Sequence, residues 1–199
     1  SKNFSLDDLI NSINKNTRLV VVSNPFSPIG DYKDVNQLKK VCEYLKEKNI
    51  IFLIDEAYVD FGPGTVLSLI NEYDNVIISR TFSKAFGAAG IRVGYLLGND
   101  KLIELITKVQ LTYPLSSTSV KFASFLLDNV SEVEKYVKDS KRDRDALCDL
   151  LESKGYDVVR SHTNSIHFHE SNGDNSKTSN RLLSQGLAFK SGNMKTGTP

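Results

Sequence analysis

Apolar residues recur along this chain in two rhythms. Continuous runs occupy residues 19–22, 50–54, 76–78 and 93–97, each of strand length and each closed by a polar residue, a turn or a glycine. Between them the spacing becomes helical. Leu6, Leu9, Ile10 and Ile13 form one stripe behind Ser5, and Asp8 three residues on completes a capping signal. Val35, Leu38, Val41, Cys42 and Leu45 lie on one side of residues 34–48. Runs apolar on both faces and separated by helices predict a parallel or mixed sheet buried between helical layers, an α/β fold.

From residue 101 the pattern turns predominantly helical, at 102–109, 120–127 and a long amphipathic stretch over 130–151 that Gly155 breaks. The stripe on that long helix is expected to pack against the sheet. Residues 158–159 and 165–169 alternate like strands of a second, smaller sheet, and the polar stretch 170–178 reads as a surface loop. The chain thus divides into an α/β part over residues 1–115 and an α+β part over 116–199. Only four strands precede the helical section, fewer than a doubly wound domain usually carries.

Charge changes little in this picture. The 199 residues hold 25 Lys and Arg against 24 Asp and Glu, a net of +1, which offers no electrostatic reason to expect nucleic acid or an acidic membrane as partner. No apolar run reaches membrane-spanning length, and the first residues carry no secretory h-region, so a cytoplasmic location is expected. Two cysteines, Cys42 and Cys148, sit in helical patterns without partner spacing and suggest neither a disulfide framework nor a zinc site. His167 and His169 share a strand face but lack a suitably spaced acid or thiol, so no metal is expected.

Chemistry is expected at the carboxyl ends of the parallel strands. Three runs end in suitable residues: Asn24-Pro25, Asp55-Glu56, and Arg80-Thr81 through Lys84. Asp55 follows an apolar run directly, where a carboxylate needs a partner. Lys84 lies between Phe82 and a run of small residues, a setting that suits either an ion pair or a Schiff-base amine. Thr81, Ser83 and Arg92 are residue types that hold a phosphate. An amine nucleophile, an acid and a phosphate cradle in one cleft suggest pyridoxal 5'-phosphate.

Asp55-Glu-Ala-Tyr58-Val-Asp-Phe61 and the gapless block Arg80-Thr-Phe-Ser-Lys84-Ala-Phe-Gly-Ala-Ala-Gly-Ile-Arg92-Val-Gly-Tyr95 resemble the signatures of fold-type-I, class I/II aminotransferases, nearest the histidinol-phosphate branch. Asn24-Pro-Phe-Ser-Pro-Ile-Gly30 is similar to a third block. The resemblance implies a pyridoxal-phosphate-dependent transferase fold, with part of a large-domain mixed sheet followed by a small α+β domain. It implies that Lys84 carries the cofactor and shuttles a proton, and that Asp55 pairs with the ring nitrogen. Tyr58 and Ser27 would face the ring hydroxyl, and Thr81, Ser83 and Arg92 would hold the phosphate. Asn24, Asn164, Lys190 and Lys195 are the implied substrate contacts. The partners implied are an amino donor, a 2-oxo acid and a second copy in a homodimer.

The sequence departs from that family at several points. Ser27 replaces an asparagine, Ile29 replaces a threonine, and the C-terminal block ends Met194-Lys195-Thr196-Gly197-Thr198 where an arginine normally clamps a carboxylate. Lys190 likewise stands where that branch often has arginine, and lysine lacks the bidentate fork. Family members are close to twice this length, so the chain resembles their second half. A decarboxylase of a phosphorylated amino acid and a non-catalytic fragment remain alternatives. Each residue also has an ordinary reading: Asp55 as a loop anchor, Lys84 as a surface lysine with a buried stem, Arg92 as an ion-pair partner, Ser27 as a turn residue and Lys195 as tail. Thr81-x-x-Lys84 with Lys195-Thr-Gly197 imitates a penicillin-binding triad, but the nucleophilic serine is absent.

Overall fold

The structure, a computed structural model, describes residues 5–170 and 175–189. Four strands form the main sheet in the order β1 (Leu19–Ser23), β2 (Ile51–Asp55), β3 (Val76–Thr81), β4 (Gly94–Gly98). The first three run parallel and β4 returns antiparallel, which makes the sheet mixed, with Asp55 opposite Ser79 and Arg80 opposite Tyr95.

The core lies on one face of this sheet. Val20, Val22, Phe52, Ile54, Val76 and Ile78 point beneath α1 (Leu6–Ser12), α2 (Val35–Glu47) and α3 (Leu69–Glu72), where Leu38, Val41, Leu45 and Leu69 are fully buried. Burying each of these side chains contributes about 1.5–3 kcal/mol. Helix α2 begins where its sequence stops it from fraying. Asp34 accepts from the Gln37 amide (2.9 Å) and the Gln37 side chain accepts from the Asp34 amide (3.0 Å), a reciprocal capping box.

The reverse face departs from the expectation of two helical layers. β1 alternates between buried and exposed positions, and Leu19 and Val21 keep 50% and 56% of their surface exposed. Among the described residues no helix covers the β1 end of that face. An alternating strand is what a sheet packed on one side produces.

After β4 the chain forms α4 (Asp100–Thr107), α5 (Ser117–Asp128), α6 (Val130–Ser153), β5 (Tyr156–Val159), β6 (His167–Glu170) and α7 (Ser176–Ser184). Ser116 accepts from the Ser119 amide (3.0 Å) and caps α5. Gly155 takes φ +83°, the left-handed turn that ends α6 and leads into the antiparallel β5–β6 pair. The stripe of α6 does not pack on the main sheet. Val137 and Val133 meet Phe61, Ala85 and Phe86 in the loops beyond β2 and β3, and further along α6 packs on β5. Amphipathic spacing gives the width of an apolar face but not which neighbour it meets. The stretch read as a loop after residue 170 already starts helix α7 at Ser176.

The two sheets meet along the loop that follows β1. Gly30 has φ +82°, and a side chain there would overlap Ser161, whose Oγ lies 1.9 Å from the Cβ position. The His162 amide donates to the Gly30 carbonyl (2.9 Å), and the His167 ring bonds the Pro28 carbonyl. From α6, Arg144 reaches the Thr163 and Phe61 carbonyls (3.0 and 3.3 Å) and Lys141 the Gly62 carbonyl (2.9 Å).

Candidate active site

The carboxyl ends of β1, β2 and β3 bring three loops together. The Asn24 amide donates to the Asp55 carbonyl (2.8 Å), so the first loop leaves alongside the second. Asn24 itself is 1% exposed: its Nδ2 donates to the Lys33 carbonyl (2.9 Å) and its Oδ1 accepts from the Lys33 amide (2.8 Å). Both ends of its side chain thus close the loop that carries exposed Ser27.

Asp55 is half-buried at the end of β2. Its Oδ1 accepts from Ser79 Oγ (2.8 Å) and from the Ala57 amide (3.2 Å), while Oδ2 takes no hydrogen bond from a described residue. Two donors on one oxygen orient the carboxylate and leave its other oxygen free to accept. Tyr58 caps a short 3-10 turn (Val59–Phe61) directly beyond, and Lys84 Nζ stands 4.8 Å from the centre of its ring. This cation–π approach fixes the amine beside the aromatic face.

The turn after β3 gathers hydroxyls. Thr81 Oγ1 donates to Ser83 Oγ (2.9 Å) and accepts from the Ser83 amide (3.0 Å). The Phe82 amide and Thr81 Oγ1 both reach the Val93 carbonyl (3.1 and 3.4 Å), which lays the Arg92 region against the same turn. Arg92 is exposed at φ +57°, a left-handed backbone uncommon for a residue with a Cβ, and its Nη1 donates to the Ala89 carbonyl (3.0 Å). Among the described residues no acid pairs with it. Asn164 is exposed on the turn beside buried Thr163. Lys190 and Lys195 lie outside the described residues.

Behind this group lies a second one, whose pairing the sequence reading did not anticipate. Glu56 is 1% exposed and accepts from Val66 N (2.7 Å), Thr65 Oγ1 (2.9 Å), Arg80 Nε (3.0 Å) and Arg80 Nη2 (2.8 Å). Burial works most strongly against the Arg80 charge. Hydrogen bonding and Coulomb attraction from Glu56, with Tyr95 adding, outweigh it and raise the Arg80 pKa above its usual value. The only local signals were Glu56 beside Asp55 and Arg80 opening its block. A pairing across 24 residues leaves no periodic trace.

The sequence profile for aminotransferases of class I and II matches residues 1–196. The chain belongs to that family. Among its relatives, the histidinol-phosphate aminotransferase of Sulfurisphaera tokodaii is 35% identical over 176 residues, 88% of this chain and 48% of that protein. The chain spans about half the length of the curated relatives it matches. The fold is shared with histidinol-phosphate aminotransferase from Sinorhizobium meliloti, solved in complex with pyridoxal-5'-phosphate (TM-score 0.84, 23% identity, 98% of this chain and 55% of that one). It is also shared with a decarboxylase from Sulfurospirillum multivorans (TM-score 0.80, 23% identity, 98% and 59%). Among the described residues no helix is long and apolar enough to cross a membrane, and no three His, Cys, Asp or Glu side chains converge as metal ligands.

Proposed function

We propose that this chain carries the lysine-bearing part of a pyridoxal-phosphate-dependent aminotransferase of the histidinol-phosphate type. It would move an amino group between a phosphorylated amine or amino acid and a 2-oxo acid. The observation that carries this reading is Lys84 Nζ held 4.8 Å from the Tyr58 ring, on the same turn as the Thr81–Ser83 hydroxyl pair and beyond the strand that ends in Asp55.

The donor set suits the cofactor. When bound, pyridoxal phosphate supplies an aldehyde that condenses with an amine and a ring that accepts electron density. Lys84 offers the primary amine and, once free, a group that can hold or move a proton at Nζ. Asp55 presents Oδ2 as an open acceptor, suited to keep a proton on a ring nitrogen, while Ser79 and Ala57 fix its other oxygen. Tyr58 and Ser27 are placed in this reading at the ring hydroxyl. Thr81, Ser83 and Arg92 supply two hydroxyls and a guanidinium for a phosphate. Asn24, with both amide ends closing its own loop, acts here by shaping that loop rather than by touching substrate. Asn164, Lys190 and Lys195 are assigned to the substrate side.

The division into parts at residues 1–115 and 116–199 belongs to the same reading and is supported by the Ser116 cap that starts α5. A homodimer in the cytoplasm completes it. The exposed apolar residues Val109, Leu111, Tyr113, Phe122 and Phe125 on and before α5 support the dimer.

The test is direct. The chain is mixed with pyridoxal phosphate, reduced with borohydride and digested for mass spectrometry. Label concentrated on Lys84 and lost in Lys84→Ala is expected; label scattered over surface lysines would overturn the reading. Amine transfer from histidinol phosphate to 2-oxoglutarate is then measured beside carbon dioxide release from a phosphorylated amino acid, and release alone would favour a decarboxylase.

A further inference from the structure

We propose that the pair of buried Glu56 and half-buried Arg80 is a positioning element that sets the spacing among Asp55, Tyr58 and the Lys84 turn from the back of the sheet. The inference rests on the aminotransferase reading of those three residues and goes beyond it.

Asp55 and Glu56 are adjacent and point to opposite sides, as do Ser79 and Arg80. The ends of β2 and β3 are therefore fastened twice. On the site face Ser79 Oγ donates to Asp55 Oδ1 (2.8 Å), and on the back Arg80 donates to Glu56 from Nε and Nη2 (3.0 and 2.8 Å). The same Glu56 carboxylate takes Thr65 Oγ1 and the Val66 amide, closing the stretch 57–64 that carries Tyr58. Arg80 Nη2 also reaches Thr65 Oγ1 (2.7 Å), so the three segments share one knot. Each member of that knot is close in sequence to a site residue: Glu56 beside Asp55, Thr65 at the end of the Tyr58 loop, Arg80 beside Thr81.

Stability alone accounts poorly for such a pair. Removing the Glu56 charge from water costs several kcal/mol and Arg80 gives up part of its hydration, and a well-packed apolar pair often replaces a buried ion pair at no loss. What the guanidinium adds is direction: its Nε and Nη2 donors converge on Glu56 Oε2 while Nη2 also reaches Thr65 Oγ1, a planar donor set that a lysine or a hydrophobe cannot reproduce.

Lys84 supplies a readout that needs no cofactor. Its ε-methylene lies near the Tyr58 ring, so its NMR resonance carries a ring-current shift that Tyr58→Leu removes and thereby identifies. Glu56→Gln, Arg80→Lys and the apolar double variant Glu56→Leu/Arg80→Met are compared with the unchanged chain. Methyl resonances of Val20, Leu38 and Ile54 monitor the core. With those methyls in place, the Lys84 resonance is expected to move toward its Tyr58→Leu position, in Arg80→Lys as well, which keeps the charge without the planar donor set. Trapping of pyridoxal phosphate at Lys84 should fall about tenfold, the size of loss that follows when a group orienting a metal ligand is removed.

A Lys84 resonance that stays put in a folded variant overturns the proposal, whatever happens to the melting temperature. A resonance that moves while the unchanged chain fails to take up cofactor at Lys84 keeps the positioning role and overturns the aminotransferase reading instead. Arg80→Lys retains a cation against Glu56 and keeps the comparison decisive should the double variant unfold.

Discussion

The core around β1–β3 and the region after residue 115 are built on different terms. In the first, nine side chains from α2, α3 and the strands are fully buried, and one continuous cluster joins three helices to three strands. In the second, α5 and α6 bury only Ala123, Val137 and Cys148, and the β5–β6 pair adds Val159. What ties the second region to the first is largely polar: the His162 amide, the His167 ring, Arg144 and Lys141 bond the Gly30, Pro28, Phe61 and Gly62 carbonyls. A core fixed by apolar volume tolerates little change in size, whereas a seam fixed by hydrogen bonds to carbonyls depends on where the backbone lies.

That contrast can be broken from either side. Phe52→Ala, at a fully buried central position, should destabilise the chain by about 3–5 kcal/mol in denaturant unfolding. Gly30→Ala meets Ser161 and forces a left-handed residue to carry a Cβ. It should cost about 2 kcal/mol and speed amide exchange across residues 156–170 while exchange in β2 stays slow. Exchange rising equally in both regions would show that the seam and the core unfold as one. Asp34→Ala removes the α2 cap and should cost about 1 kcal/mol, confined to the first region.

The smallest effect is one of pH. Burial, with Arg144 next, lowers the His162 pKa below its usual value; Lys141 also lowers it, while Asp31 and Asp145 oppose, and Tyr32 packs its ring edge-on at 5.9 Å. The folded state therefore binds the His162 proton less readily than the unfolded chain does. The stability this gives is present above the unfolded value near 6.5 and is lost as pH falls through the folded value. His162→Gln should flatten that loss in melting curves recorded across this window, and an unchanged slope would remove His162 from the account.

Much of this was legible in the sequence where physics is local. The four apolar runs became the four strands, and Ser5 caps α1 as its position suggests. The long gapless block around Lys84 pointed to the aminotransferase family, which the profile match establishes. What the sequence hid depends on a partner. β1 is apolar at every position from Leu19 to Val22, so its pattern could not announce that Leu19 and Val21 face outward here. The stripe of α6 could not say that it meets Phe61 and Ala85. Glu56 and Arg80, separated by 24 residues, look like ordinary surface charges until the strands lie side by side.

The loop from Pro25 to Lys33 has a mechanical consequence. It is gripped by the second sheet at Pro28 and Gly30, drawn shut by Asn24 against Lys33, and tied through the Asn24 amide to the last carbonyl of β2. It therefore works as a crank. Any rotation of β5–β6 that keeps those bonds swings Ser27 and delivers its torque to the backbone of Asp55.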